Sequence, residues 1–454
     1  MAASSVVVAG PPGIKQEDLH HPSLEQLPGP HNVSTTIPDG LHRKSLPIPG
    51  VAVLLGFQNY ITMLGTSVLI PVTVIRAIGR EPGDLARTIQ SVLFVTAINT
   101  LVQTGLGSRL PTVMGSSFYF LPMMLSIVSR RGIIDYPDPN ERFLRGMRAT
   151  QGGFIAGSAL NIVLGFSGLW GVAFTYISPI VIAPITILVG LGIFEHGFPG
   201  VAKCVEIGIP ALLLFLLFSK RRCLFCYCPD SRNPYPLQWG APTFTAGDAF
   251  GIMTGGFASL LESTGEFYSL SRLSGATPPP SYIISRGIGW QGIGLLFNGF
   301  WGTSTGTTVA PENVGLVGLT RVGSRRVAEI SAGFMLFFSI FGKFGAVLAS
   351  IPQPIVTAFL CINFGVVVGT GISMFQFANM NSTRNIFVVG FSLFMGLSVP
   401  QYFNEFSLRS GHGPVNTNSP WFNNILSAFF SSSMIVCFVV GTVLDTTLTR
   451  HVSK

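Results

Sequence analysis

The chain has 454 residues, of which only 10% are charged and 48% hydrophobic, with a net charge of +8 and a mean hydropathy of +0.54. A soluble protein carries about 25% charged residues, and the basic charges here are scattered between long apolar blocks, which argues against a water-soluble domain and against a nucleic-acid partner. The blocks have the length of helical spans, about 20 residues for about 30 Å of hydrocarbon, and lack the two-residue alternation of a membrane barrel.

Residues 1–48 are polar and Pro-rich, with no apolar core after a basic start, and are expected to form a disordered cytosolic tail rather than a cleaved signal peptide. Candidate spans follow at 50–72, 90–107, 113–128, 151–172, 175–195 and 201–219, then at 246–270, 287–302, 308–319, 327–350, 354–375, 384–400 and 424–444. These thirteen predict an all-α polytopic protein of the bilayer. Arg109 and Lys220–Arg222 fall on the cytosolic side of this count. Arg272, Arg321, Arg325, Arg326 and Arg384 come out on the wrong side for the positive-inside bias, and one more span after Arg222 would correct them. The loop Arg130–Arg148 holds five Arg together with Asp135, Asp138 and Glu141.

Of the six cysteines, Cys204, Cys361 and Cys437 sit in apolar blocks as packing residues. Cys223, Cys226 and Cys228 cluster beside Lys220–Arg222, and ordinary reduced thiols, a palmitoylation site and a metal site all stay open for them.

Two blocks are short and rich in small residues, Val113–Met124 and Thr307–Leu319. Each follows a Gly-hydroxyl break, Gly107–Ser108 or Gly302–Thr303, and ten residues after the Gly come Ser117–Phe118 and Glu312–Asn313. Interrupted segments at matching places in two halves point to a transporter's binding site. Glu262 and Glu266, one helical turn apart in the block 246–270, are ionisable groups where no residue from Ala249 to Leu261 is charged. A half-helix starting near Pro311 would direct free N–H groups at a solute beside Glu312. Ionised Glu only accepts hydrogen bonds, so Glu262 and Glu312 call for N–H donors or a proton, and removal from water makes either a candidate for a coupling proton. Phe118 offers a flat face to a ring. No nucleophile elbow, phosphate loop or metal-ligand set marks an enzyme, and no cofactor is expected.

The run from Pro311 to Arg321, Pro-Glu-Asn-Val-Gly-Leu-Val-Gly-Leu-Thr-Arg, resembles the signature of the nucleobase–ascorbate transporter family. Likeness to its plant branch continues through Gly197–Gly208, Trp239–Phe244, Ser285–Gly294, Arg321–Lys343 and Gly396–Glu405. The resemblance implies two inverted repeats of seven segments with core and gate domains, two short strand or half-helix segments, proton-coupled symport, a homodimer, and a place in the plasma membrane. It divides the chain into a first repeat at 49–219, a linker at 220–244, a second repeat at 245–445 and a tail at 446–454. It also implies that Glu262, Glu312, Phe118, Asn313 and Pro311 bind substrate, with Glu266, Gln291, Asn59, Gly315, Thr320 and Arg321 serving coupling or structure. Two carboxylates suit the ring N–H groups of a purine or pyrimidine and repel anionic ascorbate; members that carry ascorbate have Pro at the place of Glu312. Ascorbate or another organic anion is the alternative cargo.

The chain departs from the pattern in three places. Asn59 stands where the family often has His, and Gln291 where several proton-coupled members have an acid. Between Lys220 and Pro236 roughly fifty residues are missing, including the seventh span. The remaining Arg221–Tyr235 is too short and polar to cross a bilayer. Six spans would set the second half in the same orientation as the first, so that either a neighbouring segment compensates or the halves form no normal inverted pair. A non-transporting short form that assembles with a full-length copy is the second alternative.

Overall fold

The computed structural model describes residues 49–448 apart from 79–81, 129–132, 134–135, 176–177, 192–197, 203–205, 207, 211, 214–233, 341–352, 411–412, 416 and 418–419. The expected tail at 1–48, Cys204, the Cys223–Cys228 cluster, Lys220–Arg222, most of the candidate span 201–219 and the last residues 449–454 lie outside the described residues.

Helices dominate, and their ends follow local chemistry. Helix α1 spans Pro49–Ile78 and α2 spans Pro82–Gly105. Strand β1, Met114–Ser117, leads through the 3-10 turn Phe118–Phe120 into α3, Leu121–Val128. Helix α4 runs from Pro139 to Phe166, twelve residues earlier than the hydropathy pattern begins. Its start is set by Asp138, whose carboxylate caps the Asn140 N–H, and by Pro139 in the first turn. Part of the supposed Arg-rich loop is therefore helix. Short helices α5 (Leu169–Thr175), α6 (Pro179–Leu191) and α7 (Phe198–Val201) follow.

The second half opens with α8, Ala246–Leu273, capped by Thr245, and α9, Ser281–Trp301, which ends on Gly302 at φ 59°. Strand β2, Gly306–Val309, leads straight into α10, Pro311–Thr320. Then come α11 (Arg325–Ile340), α12 (Gln353–Ser373) and α13 (Thr383–Ser410). The candidate span 424–444 is two helices, α14 (Pro420–Phe430) and α15 (Ser433–Thr447), parted at Ser431–Ser432 inside a three-Ser run. Serine side chains compete for backbone partners and favour such breaks. Four of the described helices, Pro49–Ile75, Gly83–Gly105, Pro139–Phe166 and Thr383–Phe406, are long and apolar enough to cross a membrane. Others, α8 above all, are diluted by Gly, Ser and Glu because they face protein rather than lipid.

Helices α4 and α9 pack along their length, through glycines. A Cβ on Gly165 would lie 2.1 Å from the Gly289 nitrogen, and one on Gly292 would lie 2.6 Å from the Ile162 nitrogen. Backbone cannot yield as a flexible side chain can. Gly165→Ala is expected to cost about 2 kcal/mol, whereas Gly390→Ala in α13, with open space at its Cβ, should gain up to about 1 kcal/mol of helix propensity. Thermal unfolding of the solubilised protein reads both changes.

The helix ends sort into two sets. At one end, Ser285 donates to Gly165 O at 2.8 Å, Arg286 Nε donates to Gly107 O at 2.8 Å, Gly56 abuts Ile330, and Gly323 abuts Ser274. This is where α1 begins, and it carries Arg109, Arg272, Arg286, Arg321, Arg325 and Arg326. At the other end, Thr243 N donates to Arg148 O at 3.1 Å, Leu237 N to Phe300 O at 2.7 Å, and Gln238 Nε2 to Ser91 Oγ at 2.7 Å. Residues 235–245 therefore enter α8 at the end opposite to the start of α1. Helix α6 starts at the arginine end, where Ile180 packs with Val388, Val389 and Leu448, and it runs away from there. The basic residues that the thirteen-span count misplaced share the end that holds Arg109.

Candidate functional site

The site is built where the two halves meet. Strands β1 and β2 pair antiparallel, with Met114 opposite Val309, Gly115 opposite Thr308, Ser116 opposite Thr307 and Ser117 opposite Gly306. All eight residues are buried. A two-stranded sheet in a protein interior has outer edges that must find partners. Thr100 of α2 accepts from Met114 N at 3.0 Å, and Ser263 of α8 accepts from Val309 N at 3.2 Å. Gln291 Nε2 donates to Thr307 O and to Ser259 O, both at 3.3 Å. Asn99 donates to Thr307 Oγ1 at 3.0 Å, and Asn298 donates to the same oxygen. The strand pair is thus clamped by polar side chains from α2, α8 and α9.

Each strand delivers its chain to a helix start. Behind β1 stand Phe118 and Tyr119; behind β2, α10 opens with Pro311, which needs no N–H partner in a first turn, followed by Glu312 and Asn313. Ala310 offers no side-chain cap, and its carbonyl accepts from Asn313 N at 3.1 Å and Val314 N at 3.2 Å.

The three carboxylates converge here. Glu262, Glu266 and Glu312 are buried, at 5%, 0% and 4% exposure. Ser117 Oγ donates to Glu262 Oε2 at 3.1 Å, and Thr66 Oγ1 of α1 donates to Glu312 Oε1 at 2.7 Å. Glu266 has neither oxygen hydrogen-bonded, and no ion pair among the described residues involves any of the three. Phe118 is buried and meets the Phe364 ring of α12 edge-on at a centroid distance of 5.5 Å.

Around this centre the other sequence-selected residues divide. Asn313 Nδ2 donates to Asn59 O at 2.8 Å and to Asn59 Oδ1 at 3.0 Å, tying α10 to α1. Gln291 serves the strand pair, a structural place. Gly315 lies inside α10, one turn from Pro311. Thr320 bonds back to Leu316 O at 2.8 Å, and Arg321 closes α10 at φ 55°. Both stand at the far end of that helix, about 12–14 Å from Glu312 at 1.5 Å per residue. Sequence reasoning marked Ser117 only by its place ten residues after Gly107 and passed over Thr66, Ser263 and Thr308, because a hydroxyl in an apolar helix or strand carries no signal by itself. Among the described residues no group of three His, Cys, Asp or Glu could hold a metal.

This arrangement presents buried acceptors, two helix starts and an aromatic wall between helices of both halves. It can hold a small flat solute rich in N–H donors.

The chain is similar to known proteins. A family model described as a permease family matches residues 50–221 and 230–405, with the interruption inside the segment 220–244 that the sequence reading set apart as a linker. Nucleobase-ascorbate transporter 5 of Arabidopsis thaliana is 45% identical over 484 residues, covering 95% of this chain and 90% of its own length. Nucleobase-ascorbate transporter 2 of the same plant is 44% identical over 487 residues, covering 96% and 91%. Among solved structures, the murine Solute Carrier 26 family member A9 anion transporter in its inward-facing state aligns with a TM-score of 0.53. It is 11% identical and covers 82% of this chain and 71% of that one. That likeness concerns the fold.

Proposed function

The chain belongs to the permease family of the nucleobase–ascorbate transporters, and on that premise we propose that it carries nucleobases across the membrane by proton symport. It is an integral membrane transporter and not an enzyme. The observation that carries the choice of cargo is the burial of Glu262 and Glu312 with hydroxyl partners and no cation. An anion such as ascorbate would meet two carboxylates there, whereas the ring N–H groups of a purine or pyrimidine would be accepted by them. Phe118 supplies the apolar face of the same pocket.

The packing suggests how access alternates. Helices α6, α12, α13 and α15 pack on one another, and the strand pair with α1, α2, α4, α8, α9 and α11 forms the other group. The first group acts as the gate and the second as the core, with the solute held near the bilayer midplane. Glu266, buried without a partner one turn from Glu262, is the place for the coupling proton. A homodimer in the plasma membrane completes the proposal.

Uptake of radiolabelled xanthine, uracil, adenine and ascorbate by cells expressing the chain tests it, with surface delivery measured in parallel. Nucleobase uptake that rises with external acidity and disappears in Glu312→Ala is the expected result. Ascorbate uptake instead would reassign the cargo, and no uptake despite surface delivery would leave the short chain as a non-transporting partner of a full-length one.

A further inference from the structure

Thr66 lies in the middle of α1, buried at 4% exposure, and its hydroxyl has two acceptors in reach: Glu312 Oε1 at 2.7 Å and the Met63 carbonyl at 3.1 Å. A hydroxyl has one proton to give and two lone pairs with which to accept. It cannot donate to both at once. We infer that Thr66 is the positioning residue for the Glu312 carboxyl, turning its single hydroxyl proton between Glu312 and the Met63 carbonyl as Glu312 loses or gains its own.

With Glu312 ionised, Thr66 donates to Oε1 and leaves Met63 O to the helix ladder. With Glu312 protonated, the carboxyl O–H donates to Thr66 Oγ1, and the Thr66 proton goes to Met63 O. Each state satisfies every group in the chain Glu312–Thr66–Met63, and no heavy atom has to move. A buried carboxyl without such a two-way partner would leave one protonation state unsatisfied, at a large desolvation cost. The methyl group of Thr66 holds the hydroxyl by restricting its rotamers, since Thr in a helix keeps those that reach a carbonyl one turn back. The titratable groups facing Glu312 are Glu262 and Glu266 of α8, with Tyr119 beside those two. Tyr60 of α1 stacks on Phe338 instead, and α12 brings only Cys361. The strands add no ionisable group. The hydroxyl of Thr66 is the switchable donor in this set.

The use of this device rests on the proton-symport reading, but its geometry does not, so the primary readout needs no solute. The purified full chain in lipid nanodiscs is followed by pH-difference infrared spectroscopy as wild type, Thr66→Ser, Thr66→Val, Thr66→Ala and Glu312→Gln. The carboxyl band that Glu312→Gln removes belongs to Glu312. The bond to the ionised form is about twice as strong as that to the neutral form, so loss of the hydroxyl favours the proton. In Thr66→Val and Thr66→Ala the band is expected to change frequency and its midpoint to move to higher pH by about one unit. Thr66→Ser, which keeps the donor, should match wild type. The inference fails if no band titrates, if the donor-less variants match wild type, or if Thr66→Ser shifts as far as they do. Two donor-less variants guard against one failing to fold. Nucleobase uptake is measured alongside, and a wild type that shows the band shift but takes up no nucleobase would overturn the cargo while leaving the device standing.

Discussion

Glu262→Gln is expected to cut nucleobase uptake about a hundredfold while the protein still folds and reaches the surface. The amide keeps the shape of the carboxylate, and one of its ends can still accept from Ser117 Oγ, which now reaches Glu262 Oε2 at 3.1 Å. What changes is the character of the second terminal atom. An acceptor becomes an NH2 donor, and a solute N–H that met a charged oxygen meets another hydrogen. A hydrogen bond to a charged group contributes about 1.5–3 kcal/mol, and about 2.8 kcal/mol is a hundredfold. Ser117→Ala removes this tether, one of two hydroxyl partners, the other being Thr308, and leaves the acceptor, so its effect should stay near tenfold. The pair is read by KM and Vmax at fixed surface density. Wild-type uptake by Glu262→Gln would show that this carboxylate does not receive the solute, and equal losses in both variants would make the tether the important element.

Glu262 and Glu312 were legible in the sequence because a carboxylate in an apolar block is conspicuous. The Gly-hydroxyl breaks at Gly107–Ser108 and Gly302–Thr303 likewise marked both strand–helix units at matching places. That the two strands pair with each other was not legible. Met114–Ser117 and Gly306–Val309 are four residues each, too short for periodicity, and their partners come from helices up to 208 residues away in the chain. Thr66 was hidden for a related reason. Most helical Thr hydroxyls bond back to their own helix, as Thr62 does to Gln58 O, and only the fold reveals one that also meets a carboxylate 246 positions on. Counting spans in series puts the entry of α8 beside Arg109, whereas the chain that enters it bonds to Arg148 and Phe300. Helix starts set by capping, such as Asp138–Pro139, precede the apolar stretch and escape a hydropathy reading.

A second large effect is expected in the packing group of α6, α12, α13 and α15. Arg384 at the start of α13 pairs with Asp445 near the end of α15 at 2.8 Å, with side chains only 14% and 6% exposed. Its guanidinium also donates to Leu448 O and to Asn385 Oδ1, each at 3.1 Å. The pair therefore fastens two helices that also meet where Gly396 lies against Cys437 and Gly441 against Ser392. Arg384→Met removes the cation and leaves a buried carboxylate and a carbonyl behind, which should cost about 3 kcal/mol. Arg384→Met with Asp445→Leu removes the charge with its partner, and the double variant should recover most of that loss. Thermal unfolding of the solubilised protein, compared across the two single variants and the double, measures the coupling. Additive losses would mean that the ion pair contributes nothing beyond its separate packing. The same arginine sits beside the α12–α13 turn, whose Ser373 carbonyl accepts from Arg272 at the end of α8. The proposed gate is thus held to itself by Arg384 and to the proposed core by Arg272. Loosening the first contact alone should lower stability without changing KM, because α13 and α15 supply no residue to the carboxylate site.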